Sequence, residues 1–60
     1  MNKLKEIRLA REMTQAEVAE AVGIAESAYQ RYEYGRLPTV ITAIRIALAL
    51  KSTCVEIWGD

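Results

Sequence analysis

The residues best equipped for chemistry share one face of a predicted helix over residues 25–34. Apolar side chains at Ala28, Tyr29 and Tyr32 recur at the spacing of a helix face that packs inward. The opposite face then carries an acid, a hydroxyl, an amide and a guanidinium: Glu26, Ser27, Gln30 and Arg31. Such groups donate and accept hydrogen bonds, so this face is predicted to recognise the polar groups of another molecule.

The sequence lacks the residues that most enzymes use for catalysis. The chain has no histidine and one cysteine, Cys54, and its sequence shows no clustered pair of carboxylates. General acid–base and nucleophilic mechanisms depend on such groups. We therefore expect a binding protein rather than an enzyme. No cofactor and no metal site are expected, because a lone cysteine without histidine lacks the ligands of a zinc site.

A second predicted helix and a tight turn precede the polar face. Thr14 and Glu17 have the spacing of a capping box, in which each side chain satisfies an amide of the other residue. A helix is therefore predicted to begin at Gln15. Gly23 is predicted to end it in a left-handed conformation, with Ile24 packing back on the preceding turn. Residues 15–34 are thus predicted to form two helices joined at one turn.

This pair of helices resembles the helix-turn-helix of the phage repressor and Cro-type family. The characteristic positions of the motif are occupied by Gln15, Ala19, Gly23, Ile24, Tyr29 and Tyr32. Further matches lie on both sides of it, at Leu4, Ile7, Arg8, Glu33, Gly35, Pro38 and the run from Ile46 to Leu50. The resemblance covers nearly the whole chain. It implies an all-α fold, a compact five-helix lambda-repressor-like domain that binds double-stranded DNA as a small transcriptional regulator.

The resemblance also implies that the helix over residues 25–34 enters the major groove and that its four outward residues read bases. Arg31 is the strongest candidate, because an arginine can bind guanine O6 and N7 through two hydrogen bonds. A solvated arginine or a phosphate contact is the alternative. Gln30 could donate and accept at an adenine, or could lie at the edge of the groove.

Contacts to the DNA backbone are expected from four other residues: Thr14, Gln15, Tyr34 and Arg36. Gln15 stands at a helix start, where amides and the positive end of the helix dipole favour an anion such as phosphate. A surface glutamine without a ligand is the alternative. Arg36 follows the turn at Gly35, so it is expected to contact a phosphate rather than a base.

Two departures from the resembled family lie at the start of the recognition helix. Ala25 stands where a serine or threonine usually caps the recognition helix, and loss of such a cap typically costs about 1 kcal/mol. Glu26 can accept a hydrogen bond from cytosine N4, but its carboxylate repels phosphates. These departures indicate selective rather than tight DNA binding. The alternative hypothesis is that the fold serves as a protein-interaction module or an antitoxin-like partner.

Length and composition predict one globular domain, assigned to residues 1–60. The chain has 60 residues, of which 52% are hydrophobic, and its formal net charge is zero. A neutral chain counts against strong non-specific DNA binding, because phosphate neutralisation supplies most of that affinity. The most apolar stretch, residues 37–50, is too short to span a bilayer and contains Arg45. We expect a cytoplasmic protein that does not enter membranes.

The remaining helices follow from apolar spacing and caps. Helix one is predicted over about residues 3–12, with an apolar stripe of Leu4, Ile7, Leu9, Ala10 and Met13. Glu12 stands where the resembled family usually has glycine. Helix four, capped by Thr39, is predicted to bury Val40, Ala43, Ile44, Ala47 and Leu50. Thr53 and Glu56 predict a second capping box, followed by a short helix over about residues 54–58.

One structural ion pair is implied by the resemblance. Arg8 in helix one and Glu33 at the end of the recognition helix both occupy family positions, and their neighbours are largely apolar. Charges in such surroundings are stable only when they are paired. We therefore predict that the two side chains contact each other.

Self-association is predicted from apolar residues that the assigned core leaves over. Ile41 and Leu48 lie seven residues apart on a flank that the resembled family usually keeps polar. With their neighbours they would form an apolar patch of the kind that marks interfaces: Leu37, Ile41, Leu48, Cys54, Val55 and Trp58. A homodimer through helices four and five would also present two reading helices to two half-sites. The alternative is a broad core in which Trp58 covers Leu48.

Overall fold

The computed structural model describes residues 2–59. Over that range the chain forms helices only: α1 (Leu4–Ala10), α2 (Gln15–Val22), α3 (Glu26–Glu33), α4 (Val40–Ala49) and α5 (Cys54–Trp58). The predicted all-α, five-helix architecture is confirmed. The predicted domain, residues 1–60, extends one residue beyond the described range at each end.

The start of α2 and the turn that ends it have the predicted local chemistry. The Thr14 hydroxyl accepts from the Glu17 amide at 3.0 Å, and the Glu17 carboxylate accepts from the Thr14 amide at 2.8 Å. Gly23 has a φ of 84°, a left-handed conformation that glycine adopts without steric cost. The Ile24 amide donates back to the Ala19 carbonyl at 3.0 Å. The capping box starts α2, and the left-handed Gly23 with the Ile24 bond forms the turn from which α3 leaves.

Helix α1 is shorter than the predicted range of 3–12, and the reason lies at Glu12. This residue has a φ of 57°, so the helix closes in a Schellman motif. In that motif the Glu12 amide donates to Leu9 at 3.0 Å and the Met13 amide donates to Arg8 at 3.2 Å. A glutamate therefore takes the left-handed position that glycine usually fills. Leu9 is 55% exposed, which corrects its assignment to the inward stripe.

The buried core draws on every helix. It consists of Leu4, Val18, Ala19, Val22, Tyr29, Ile46, Ala47, Leu50 and Ile57. Helix α2 packs against α3 and α4, α1 packs against α3, and α5 packs against α4. The helix pair α2 and α3 is therefore held by α1 and α4, with α5 packed on α4, and the polar face of α3 is left outside.

The inward face predicted for α4 is wrong at two of its residues. Val40 is 76% exposed and Ile44 is 47% exposed, whereas Ile46 is fully buried. At about 100° of rotation per residue, Ile46 and Leu50 point to the side opposite Ile44. Both sides of this helix are apolar, so spacing alone does not decide which side packs inward. The contacts of Ile46, Ala47 and Leu50 within the core decide it.

The start of α5 has only half of the predicted capping box. The Thr53 hydroxyl accepts from the Glu56 amide at 3.1 Å, as expected. The Glu56 carboxylate, however, accepts from the Thr53 hydroxyl at 3.1 Å rather than from the Thr53 amide. The helix begins where it was predicted to begin, with one reciprocal bond replaced by a side-chain bond.

Candidate nucleic-acid interface

An ion pair between Arg8 and Glu33 lies behind the polar face of α3. The Arg8 Nε donates to Glu33 Oε2 at 2.6 Å, and its Nη2 donates to Oε1 at 3.4 Å. Its Nη1 donates to the Met13 carbonyl at 2.9 Å. Both charged side chains are less than a tenth exposed. The pair therefore ties α1 to the end of α3 in a largely dry environment.

The ionised state of this pair is favoured by its neighbours. The hydrogen bond with Glu33 raises the pKa of Arg8 above its usual range. Burial by itself raises the pKa of Glu33, but hydrogen bonds and the Arg8 charge outweigh it, and the net pKa is lowered. Burial also raises the pKa of Tyr29. The Tyr29 hydroxyl is buried and has no partner that meets hydrogen-bond geometry within residues 2–59.

A chain of amide hydrogen bonds runs outward from the ion pair. The Gln15 Nε2 donates to Glu33 Oε1 at 3.0 Å. The Gln30 Nε2 donates to Gln15 Oε1 at 3.2 Å, and it lies 3.5 Å from Glu26 Oε2. We call these five residues, Arg8, Glu33, Gln15, Gln30 and Glu26, the polar network. Gln15, expected at a phosphate, thus has both ends of its amide bonded within the protein.

The predicted base-reading residues lie together on α3 and form what we call the recognition face. Glu26, Ser27 and Arg31 are exposed, and Gln30 is half-buried. Helix α3 begins without a side-chain cap, because its cap residue is Ala25. Glu26 lies in the first turn of α3, where its negative charge interacts favourably with the positive end of the helix dipole. The face is polar and accessible along two turns.

The two arginines near the end of α3 share a shallow cleft. Arg31 and Arg36 line it together with Ala28 and Tyr32. The chain bends back here because Gly35 has a φ of 115°, and the Arg36 amide donates to the Arg31 carbonyl at 3.1 Å. Both arginine side chains therefore contribute to the lining of one cleft. Although the whole chain is neutral, this end of the recognition face is basic.

A second cleft lies where α1 and the start of α2 approach the end of α3. It has a volume of about 340 Å³ and is lined by Lys5, Arg8, Gln15, Glu33 and Tyr34. Thr14 at the start of α2 is exposed, and Tyr34 is almost fully exposed. Lys5 was not predicted as a site residue. The sequence could have indicated Lys5, because it is three residues before Arg8 and the two therefore lie on the same side of a helix.

Arg11 is a second residue whose role the sequence did not reveal. Its Nε donates to the Leu50 carbonyl at 2.8 Å, and its Nη2 donates to the Lys51 carbonyl at 3.1 Å. These carbonyls belong to the end of α4, where no helical amide remains to satisfy them. Arg11 therefore holds α1 to α4 and is occupied away from the recognition face.

The six residues predicted for self-association divide into two groups. Leu37, Ile41, Leu48 and Val55 are exposed, and Leu48 remains 71% exposed, so Trp58 does not cover it. Cys54 and Trp58 are half-buried and pack against the core. On α4 itself the exposed large apolar residues recur at helical spacing, and Leu37, three residues before the helix begins, is exposed as well. We call these residues together the α4 face: Leu37, Val40, Ile41, Ile44 and Leu48.

Two further structural observations bear on the kind of partner. None of the described helices is long and apolar enough to cross a membrane. Between residues 2 and 59, no three side chains of histidine, cysteine, aspartate or glutamate come together in a metal-binding group.

Comparison with known protein families identifies the motif. The model of the family described as Helix-turn-helix matches residues 4–57, from the first residue of α1 into α5. The chain therefore belongs to the helix-turn-helix family of DNA-binding regulatory domains, which is not a family of enzymes. Searches of curated proteins and of solved structures gave no significant match.

Proposed function

We propose that this protein is a cytoplasmic, repressor-like transcriptional regulator that binds an operator in double-stranded DNA as a homodimer. In each half-site α3 lies in the major groove, with the recognition face against the base edges. The observation that carries the proposal is the combination of an exposed polar face on α3 with the basic cleft of Arg31 and Arg36 at its end. A groove-reading helix needs both kinds of group.

Base reading is assigned to Glu26, Ser27, Gln30 and Arg31. Arg31 is exposed and carries donors only, which matches the two acceptors of guanine in the major groove. Its neighbour in the cleft, Arg36, belongs to the loop after α3 and is assigned to a phosphate. The pair therefore combines a contact that selects a base with one that fixes the position of the helix.

Contacts to the DNA backbone are assigned to the second cleft and to the start of α2. Thr14, Gln15 and Tyr34 contribute there, and Lys5 adds a positive charge at the same edge. The first backbone bond within α2 comes from the Val18 amide, and the Glu17 amide donates to the Thr14 hydroxyl, so the amides of Gln15 and Ala16 are left without a helical partner. Because the Gln15 side chain is held by Glu33 and Gln30, we expect its contribution to come mainly from its backbone amide.

The homodimer is assigned to the α4 face, with Val55 from α5 beside it. One side of α4 packs in the core and the other exposes four large apolar residues, Val40, Ile41, Ile44 and Leu48, so this helix is apolar on both sides. A helix of that kind is normally buried on both sides. Leu37, in the loop before the helix, is also exposed. A second copy would cover the face symmetrically, and a two-fold dimer presents two recognition helices to two half-sites. Cys54 and Trp58 support this surface from within the core.

The test is a selection of binding sites from random duplexes, followed by footprinting and a salt titration. We expect a two-fold symmetric site whose halves are centred about one helical turn apart. The logarithm of the affinity should fall with the logarithm of salt concentration, with a slope of about 0.9 per phosphate neutralised. Equal affinity for selected and random duplexes, without a salt slope, would contradict the proposal.

The exposed α4 face also fits the second hypothesis, a module whose partner is another protein. The same titration separates the two, because an apolar contact does not release counterions from DNA and lacks that steep slope. A protein that binds no duplex but remains monomeric with an exposed α4 face would favour the protein-interaction hypothesis.

A further inference from the structure

The polar network connects the buried ion pair to the recognition face, and it fixes which hydrogen-bonding groups that face can offer. Its inner end is the Glu33 carboxylate, whose side chain is 6% exposed. Its outer end is the Glu26 carboxylate on the first turn of α3. The two amides between them, Gln15 and Gln30, each have a donor end and an acceptor end.

The orientation of the Gln15 amide follows from the inner carboxylate. Glu33 is ionised beside Arg8, so its oxygens only accept. The Gln15 group that lies 3.0 Å from Glu33 Oε1 must therefore be the NH₂ group. The reversed amide would place two acceptors in contact in a partly buried site, which is costly. Gln15 consequently directs its oxygen toward Gln30.

The orientation of the Gln30 amide follows from the same reasoning, one step further out. The Gln15 oxygen at 3.2 Å is an acceptor, so Gln30 must present its NH₂ group there. The Glu26 carboxylate, 3.5 Å from the same nitrogen, is a second acceptor on that side. Both hydrogens of the Gln30 nitrogen are thus directed to protein oxygens. The Gln30 carbonyl oxygen is the end of the amide that remains for a ligand.

We propose that Gln30 reads DNA as an acceptor only, and that Gln15 is the positioning residue that imposes this restriction. This inference rests on the proposed function. A glutamine that binds adenine through two hydrogen bonds must donate to N7 as well as accept from N6. Gln30 cannot donate while its nitrogen is held, so it selects any base that carries an amino group in the major groove. Cytosine and adenine both do.

The recognition face then has a defined polarity along α3. Glu26 and Gln30 present acceptors, and Arg31 presents donors. The half-site expected from this order places amino-bearing bases, cytosine or adenine, opposite the acceptors and a guanine opposite Arg31. The polarity of Gln30 is imposed by a buried ion pair that has no contact with the groove.

The test compares wild type with Gln15→Met on four duplexes that differ at one base pair. That pair is identified as the one at which Gln30→Met abolishes the preference among bases. For wild type we expect adenine and cytosine to bind within about threefold of each other, and both roughly tenfold more tightly than guanine and thymine. Methionine at residue 15 removes the nearer of the two acceptors that hold the Gln30 nitrogen and leaves only Glu26, at 3.5 Å. The variant should then favour adenine over cytosine by roughly tenfold, as a two-bond contact does.

Ratios between bases are the readout, because loss of a phosphate contact at residue 15 would weaken all four duplexes equally. Circular dichroism of each variant checks that the helices are retained. In the absence of DNA, the Gln30 side-chain amide should change its nitrogen chemical shift in Gln15→Met, since it loses a partner.

Two results would overturn this inference but not the proposed function. One is a wild type that already prefers adenine to cytosine tenfold, and the other is an adenine-to-cytosine ratio that Gln15→Met leaves unchanged. In either case selective DNA binding, and with it the proposed function, would stand. A wild type that prefers no duplex over random DNA would instead remove the proposed function, and the assignment of Gln30 as a base reader would fail with it.

Discussion

The recognition face of α3 and the α4 face are both exposed, but different structures lie behind them. Gln30 and Glu26 are connected through Gln15 to a buried ion pair, so the polar side chains of α3 have preferred orientations. The α4 face has an apolar core behind it and no hydrogen bonds to orient its side chains. The first surface suits a partner with fixed polar groups. The second suits an apolar partner, for which area and shape matter more than direction.

Breaking the ion pair should have the largest effect, because it removes the support of the recognition face. Arg8→Ala leaves the Glu33 carboxylate buried without its cation, and we expect a loss of about 3–5 kcal/mol in the free energy of unfolding. Urea denaturation measures it. The double variant Arg8→Met, Glu33→Leu should lose less, because it leaves no unpaired charge. A double variant less stable than the single one would contradict this account.

Acid should break the same pair without a mutation. The pKa of Glu33 is lowered below its ordinary value of 4.5 in the folded protein. Its contribution to stability is therefore fully present above about pH 4.5 and is lost as the pH falls toward the lowered folded pKa. We expect the free energy of unfolding to decrease in that window. The double variant at residues 8 and 33 is the control, since it should lack this component of the decrease.

A charge on the α4 face should abolish self-association and leave the fold intact. Ile44→Glu would place two carboxylates near each other in the proposed dimer, and we expect the dimer to weaken about a hundredfold, or roughly 3 kcal/mol. Leu48→Glu should behave alike. Sedimentation at micromolar concentration measures the change.

The matched control for the α4 face is Leu9→Glu. Leu9 is 55% exposed and Ile44 is 47% exposed, so the two substitutions make similar changes at similarly accessible sites. Only the one on the α4 face should alter the sedimentation of the protein. A monomeric wild type, or equal effects of both variants, would reject this interface.

Substitutions of the two arginines in the cleft at the end of α3 should distinguish base reading from contact with the DNA backbone. Arg31→Ala is expected to cost about 1–3 kcal/mol of discrimination at one or two base pairs, if it binds guanine with two hydrogen bonds. Arg36→Ala should weaken all duplexes alike and reduce the salt slope by about one. Binding titrations on selected and mismatched duplexes check both. Uniform weakening by Arg31→Ala would reassign it to the backbone.

The smallest expected effect concerns the cap that α3 lacks. Ala25 has the extended backbone of a cap residue but no side chain that accepts from the helix amides. Ala25→Ser should therefore stabilise the protein by about 1 kcal/mol, as measured by thermal unfolding. Thr14→Ala, at the start of α2, is the opposite substitution and should destabilise by a similar amount. No change at residue 25 would mean that another group already satisfies those amides.

Local chemistry made the helix-turn-helix predictable. A capping box at Thr14 and a left-handed glycine at Gly23 act within a few residues, so their spacing in the sequence is enough to place α2 and the turn. The approach of Arg8 to Glu33 is a contact across 25 residues. It was anticipated only through the resemblance to a family, because spacing along the chain carries no information on such a distance.

The rotation of α4 shows where local pattern fails. Its sequence is apolar on both sides, so a helical stripe can be drawn through Ile44 or through Ile46. Only the packing against the neighbouring helices buries Ile46 and exposes Ile44. The end of α1 was mispredicted for a different reason. A left-handed backbone is unfavourable for a glutamate, but Glu12 adopts it in the Schellman motif that closes the helix.

The five helices, the turn at Gly23 and the set of polar residues on α3 could be predicted from the sequence. Helix caps and apolar spacing are properties of neighbouring residues, so they can be read along the chain. Tertiary structure alone decided how those polar residues are oriented. Gln15 and Gln30 each have a donor end and an acceptor end, and a sequence does not say which end faces outward. The Glu33 carboxylate, brought from the end of α3 to Arg8 of α1, fixes both amides because its oxygens can only accept.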